Sequence, residues 1–254
     1  MHDDGTRFVL DADALKSVID ARTRILLLCS PHNPTGRVFS RAELQDIAQV
    51  ALEHNLTIVS DEIYADVVFT GHRHLPIAML APEVAARTVT LASATKAFNI
   101  AGLRCGLMHF GSADLQQRLL QRLPEGLLGP ISTVAMDATT AAWTASDDWL
   151  ESVLTYLQAN RDEIAHRVAS DLPGVRYFPP ESTYLAWLDC RELGLDMPPA
   201  QFFLDHARVA LRGGSDFGLG GETGVRLTFA TSAAILGQVL DRMSEAVERH
   251  PRVG

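Results

Sequence analysis

Two rhythms of apolar and polar positions run along this chain. "RILLLCS" (24–30) is an apolar run flanked by charged and turn residues, which predicts a buried strand. "RAELQDIAQVALEHN" (41–55) repeats its apolar positions at helical spacing, and Ser40 followed three residues later by Glu43 is the capping-box signature of a helix start. "LTIVSDEIY" (56–64), "TVTLASA" (88–94) and "CGLMHFG" (105–111) read as further strands. The first half therefore has the strand–helix–strand rhythm of a parallel sheet covered by helices. Residues 111–170 are predicted to be mostly helical, with a break over "LPEGLLGP" (123–130) and a long periodic stretch from about Trp149 to Leu172 that stops at "PGV". The pattern then changes to "VRYFPPESTYLAWLDC", a helix "PPAQFFLDHARVAL", a glycine-rich loop "RGGSDFGLGGETG", a strand "VRLTFAT" and a last helix from Ser232, which together predict a smaller α+β unit.

Composition narrows the functional classes. The 254 residues, 47% hydrophobic and 21% charged, suffice for a sizeable core in one large domain or two smaller ones. Acidic residues outnumber Lys and Arg by 31 to 22, so no general affinity for nucleic acid or anionic membrane is expected, and any bound anion must meet a local cluster of cations. Cys29, Cys105 and Cys190 are odd in number and far apart, which argues against a disulfide framework or a structural zinc site and fits a reducing cytoplasm. The opening "MHDDGTRF" is acidic where a signal peptide is basic and then apolar, and no apolar run approaches membrane-spanning length.

Chemistry-bearing residues gather at predicted strand ends, where parallel sheets place their ligands. "SPHNPTG" follows the first run, "SDEIY" ends the second and "SATK" follows the third. Lys96 lies among small and apolar residues in "SATKAFNIAG" (93–102), in a chain short of lysine. Such a lysine is either a structural ammonium bonded to carbonyls or a reactive amine. Ser93 and Arg104 bring a hydroxyl and a guanidinium for one anion beside it, Asp61 and Tyr64 a carboxylate and a phenol, and Asn33 an amide. Those are the parts needed to hold pyridoxal 5'-phosphate. His32, His72 and His74 are either substrate contacts or, on the plainer reading, a turn histidine and a solvated loop pair, and none has the spacing of a metal site. The glycines of 213–224 lack the strand–loop–helix context of a phosphate loop, and "SPHNPTG" lacks the glycines of a nucleotide-binding turn.

With "NPTG", "SDEIYAD" and "SATKAFNIAGLRCG" in that order, the chain resembles the fold-type I, class I/II aminotransferase superfamily of pyridoxal-phosphate enzymes. "SPHNPTGRVFSRAEL", "GHRHLPIAML", "KAFNIAGL" and "STYLAWLDCRELGL" are more similar to its MalY/PatB-type branch, the cystathionine β-lyase-like C–S lyases. The resemblance implies that Lys96 is the Schiff-base lysine and the base that takes the substrate α-proton, and that Asp61 pairs with the protonated pyridine nitrogen. It implies that Tyr64 and Asn33 hydrogen-bond the ring's phenolic oxygen, Ser93 and Arg104 bind the phosphate, and Arg226 in "VRLTFAT" grips the substrate α-carboxylate with its planar fork. The plainer alternatives are a capping aspartate at 61, a turn or packing role for Asn33 and Tyr64, and an exposed strand arginine at 226. Tyr64 stands where this branch often carries His.

The resemblance further implies a homodimeric α/β enzyme acting on amino acids, a C–S β-lyase releasing a thiol, pyruvate and ammonia, with a class I/II aminotransferase as the alternative. Members carry a long segment before the "NPTG" region, whereas about thirty residues precede Asn33 here. The expected architecture is thus a mainly parallel, N-terminally shortened cofactor-binding domain (1–125), a helical connection (126–170) and a small C-terminal α+β domain (171–254), with an unpaired sheet edge and bare apolar faces. An inactive fragment with a dimerisation or regulatory role is the remaining alternative.

Overall fold

The computed structural model describes residues 1–124, 126–127 and 129–250. Glu125 and Leu128, within the predicted break at 123–130, and the last four residues of the predicted small domain lie outside the described residues. Residue contacts divide the chain into two compact units whose boundary falls after Ser152, with 5–7 and Asn33–Gly36 belonging to the second.

The first unit opens with a two-stranded ribbon, β1 (His2–Asp3) and β2 (Phe8–Val9), and a short helix α1 (Ala12–Ser17) capped by Asp11. Its sheet runs in the order β3 (Ile25–Cys29), β4 (Thr57–Asp61), β5 (Thr88–Ala92) and β6 (Leu107–Phe110). The first three strands are parallel, as their rhythm predicts, and β6 is antiparallel to β5. The reason lies in the connection: residues 93–106 carry no α-helix to return the chain across the sheet, only a 3-10 turn at Ala101–Leu103.

Helix α2 (Arg41–Glu53) covers one face of this sheet. Ser40 Oγ accepts the Glu43 N–H at 3.2 Å and Glu43 Oε2 accepts the Ser40 N–H at 2.8 Å, so the capping box closes in both directions. Leu44, Ile47, Ala48 and Ala51 of α2 pack with Leu26, Leu28, Ile58 and Ile77, and α3 (Pro82–Ala85) adds Val84 to that core. Alternation along β3 leaves the other face bare, with Ile25 58% and Leu27 73% exposed. Helices α4 (Ala113–Leu120), α5 (Thr133–Ala145) and α6 (Asp147–Asp171) follow, and α6 carries the chain past the unit boundary.

The second unit is built on an antiparallel sheet in the order β7 (Arg176–Tyr177), β8 (Leu185–Asp189), β10 (Gly224–Thr228) and β9 (Arg212–Gly213). The predicted helix at 198–211 is only the short α7 (Pro199–Phe202) continued by a π-turn at Phe203–Ala207, which Arg208 ends with a left-handed φ of 56°. Helix α8 (Ala233–Arg249) buries Leu236, Leu240, Met243 and Val247. Asn160, buried on α6, donates to the Phe229 and Thr231 carbonyls at 3.0 and 2.9 Å, satisfying the strand end after β10. Among the described residues no helix is long and apolar enough to cross a membrane.

Candidate functional site

In the first unit, parallel pairing sets Asp61 at the carboxyl end of β4, opposite Cys29 on one side and Leu91 on the other. Asp61 Oδ1 accepts the Ile63 N–H at 3.2 Å, which folds the chain into an Asx turn and leaves the second carboxylate oxygen without a partner among the described residues. Tyr64 follows in that turn, 95% buried, and its carbonyl accepts the Val67 N–H at 2.9 Å.

Leu91 is two residues before Ser93, so the loop carrying Lys96 leaves the sheet at the same rim as Asp61. Ser93 Oγ donates to the Cys105 carbonyl at 2.6 Å, and the Thr95 hydroxyl lies 2.7 Å from it. That pair ties the two ends of the loop together and brings Arg104, next to Cys105, back to the strand end. The loop contains two non-glycine residues in the left-handed region, Asn99 (φ 55°) and Arg104 (φ 53°). Each costs on the order of 1–3 kcal/mol, strain of the kind stored at working sites. Phe98 is held by stacking on Trp149, centroids 5.7 Å apart. Between these fixed points the half-buried Lys96 ammonium has no hydrogen-bond or ion-pair partner among the described residues, and neither has the exposed Arg104 guanidinium.

In the second unit Asn33 and Arg226 come together. Arg226 Nη1 donates to Asn33 Oδ1 at 2.8 Å, while Nε is buried without a partner among the described residues. The guanidinium lies over the Phe217 ring at 4.8 Å, and Phe217 stands edge-on to Trp187 at 5.5 Å. Trp187 fits against Gly224, where an added Cβ would meet its ring at 2.3 Å. Asn33 is placed by Gly36, whose φ of 68° and 2.2 Å approach of a would-be Cβ to Pro180 Cβ admit only glycine. The Gly36 carbonyl accepts the Glu181 and Ser182 N–H groups at 3.0 and 2.9 Å.

The family model "Aminotransferase class I and II" matches residues 2–243. The chain belongs to this family. Among curated members, cystathionine beta-lyase PatB of Bacillus subtilis is 34% identical over 242 residues, 94% of this chain and 62% of that protein. An aspartate aminotransferase of a Bacillus species is 29% identical over 247 residues, covering 95% and 62%. The crystal structure of cystalysin from Treponema denticola, which contains a pyridoxal 5'-phosphate cofactor, matches with a TM-score of 0.92 at 28% identity, over 98% of this chain and 63% of that one. The chain thus spans about three-fifths of the length of these family members.

The structure corrects one histidine reading and keeps another: His32 does sit in a turn, its N–H donating to the Arg37 carbonyl at 2.8 Å. His74 is not solvated: its side chain is 8% exposed and Nε2 lies 2.8 Å from Glu62 Oε2, whereas its neighbour His72 is exposed. His32 is packed against Phe39, rings 6.2 Å apart and edge-on. Burial, aided by the chain's own amino terminus and Arg37, lowers its pKa from 6.5 to about 4. Glu62, Phe217 and Trp187 drew no attention in the sequence. Glu62 had a signal, since a carboxylate two positions past Ser60 on a buried alternation needs a partner.

Proposed function

We propose that this chain holds pyridoxal 5'-phosphate covalently on Lys96 and acts on amino acids as a C–S β-lyase, converting cystathionine or a cysteine conjugate to a thiol, pyruvate and ammonia. The observation that carries the proposal is the Lys96 ammonium, half-buried and without a partner among the described residues, on a strained loop at the sheet rim that also presents Asp61. A structural lysine would be expected to use its donors on carbonyls or carboxylates. The donor set fits the cofactor: an amine free to form a covalent bond, a carboxylate with one oxygen uncommitted, a buried tyrosine beside it, and an exposed guanidinium for a phosphate. When bound, this cofactor supplies an electron-withdrawing ring that stabilises negative charge at the substrate α-carbon.

The roles divide among the chain's own groups. Lys96 makes the covalent attachment and, once substrate displaces it, carries the α-proton on Nζ. Asp61 keeps a proton on the pyridine nitrogen, and Tyr64 donates to the ring's phenolic oxygen. Arg104 takes the phosphate charge. Ser93 has one hydroxyl hydrogen, and its bond to the Cys105 carbonyl uses it, so Ser93 serves the phosphate chiefly by shaping the loop. Arg226 binds the substrate carboxylate with Asn33 holding one arm of the fork. A homodimer in the cytoplasm completes the reading, and three cysteines outside any disulfide suit a reducing compartment.

The B. subtilis lyase relative favours β-elimination. Tyr64 favours the second reading, a class I/II aminotransferase. Two assays on one protein sample separate them. The lyase predicts pyruvate from cystathionine with no keto-acid acceptor present, and the aminotransferase predicts product only when an acceptor is added. Lys96→Ala should abolish both, and turnover retained in that variant would refute the mechanism.

A further inference from the structure

We propose that Ser60, Glu62 and His74 form a positioning device for Asp61 and Tyr64, setting from behind the sheet how tightly the cofactor is held. The inference rests on the cofactor site proposed above.

Side chains along β4 alternate: Ile58, Ser60 and Glu62 are at most 5% exposed, while Asp61 between them is half-buried. Glu62 is the residue at which the sheet ends and the turn begins. Its N–H donates to the Leu91 carbonyl at 2.9 Å, and its own carbonyl accepts the Ala65 N–H at 2.9 Å. Any swing of Glu62 therefore moves the peptide that orients Asp61 on one side and Tyr64 on the other. Both oxygens of its carboxyl are held. Ser60 Oγ donates to Oε1 at 2.9 Å, and the His74 Nε2 lies 2.8 Å from Oε2.

The composition of this cluster points to geometry more than stability. Burying a carboxyl and an imidazole costs several kcal/mol, and apolar side chains of similar volume often do as well or better for folding. His74 Nδ1 is also buried without a hydrogen bond among the described residues, so the network leaves one of its polar atoms unmatched there. What it does give is a fixed direction: two short bonds at right chemistry hold one backbone segment, and a site's working groups must be held to within about 0.5 Å.

The test is a titration of wild-type protein and variants with pyridoxal 5'-phosphate, followed by visible absorbance, with a thermal melt on each sample. His74→Leu should weaken cofactor binding about tenfold or more, and His74→Gln, which returns a donor near the position of Nε2, should recover to within about threefold. The decisive arm is a cycle with Asp61→Asn. Because His74 acts in part through Asp61, His74→Leu should cost clearly less once Asp61 is changed than it does in the wild-type protein, the remainder passing through Tyr64, whereas a general loss of stability would add in full. Wild-type affinity in His74→Leu, or full additivity in the cycle, would overturn the inference while leaving the cofactor site standing. No binding by wild-type protein would overturn the site and this inference together. Should His74→Leu fail to fold, Glu62→Gln takes its place, with weakened binding at an unchanged melting temperature expected and unchanged binding contradicting the proposal.

Discussion

Arg226 shows how much one residue's shape can demand. Its fork is half committed to Asn33 and braced on Phe217, leaving the remaining donors for a carboxylate. A lysine keeps the charge and loses both the fork and the flat face. Arg226→Lys should therefore raise KM for the amino-acid substrate about tenfold or more, the loss expected for one charge-assisted hydrogen bond, with the covalent cofactor band unchanged; an unaltered KM would remove Arg226 from the substrate site. His32 makes a prediction of the opposite kind, about stability. Its folded-state pKa of about 4 lies below the ordinary 6.5, so the unfolded chain binds the extra proton first as pH falls. The stability it helps maintain is complete above pH 6.5 and is lost as pH drops toward about 4. Denaturant midpoints across that range should fall less steeply in His32→Gln than in the wild-type protein.

At the scale of elements, α2 concentrates several interactions at its start. Ser40→Ala removes one cap bond and should cost about 1 kcal/mol in a denaturation experiment. Glu43→Ala should cost more, about 3 kcal/mol, because Glu43 also receives both bonds of Arg37 Nη2, at 2.7 and 2.8 Å, and the Arg37 side chain is only 4% exposed. Equal costs would contradict that ordering. This helix was legible in the sequence because its signal is local: Ser40, Glu43 and the apolar spacing lie within four turns. The strands at 25–29, 57–61 and 88–92 were legible for the same reason. The direction of β6 was not, because the residues of a strand are indifferent to whether a neighbour runs with or against them. The helix predicted at 198–211 was cut short because Arg208 adopts a left-handed turn that its residue type does not announce. The candidate site divides likewise. Lys96, Asp61 and Tyr64 could be picked out because each stands at a strand end, whereas Glu62 signalled only that it needs a partner and His74, in a polar loop, gave no sign of being that partner. Only the fold shows that the two meet.

For the whole molecule, the bare face of the first sheet matters most. Ile25 and Leu27 of β3 and Met108 of β6 expose apolar side chains on the two edge strands of this sheet, surface that a monomeric protein seldom leaves open. Leu27→Lys should lower concentration-dependent light scattering and binding of an apolar dye while leaving the melting temperature little changed, since Leu27 is 73% exposed and contributes little to the core. Scattering unaffected by that change would show that this face does not drive self-association. The chain matches cystalysin with a TM-score of 0.92 while being about three-fifths as long as the relatives it matches. Whether that portion carries the chemistry turns on Lys96. The most direct measurement is the visible spectrum of purified protein with added pyridoxal 5'-phosphate, before and after borohydride, followed by peptide mapping. The account predicts a visible band that reduction abolishes, with the cofactor fixed on Lys96; a folded, soluble sample with no such band, or with the label on Lys16, would contradict it.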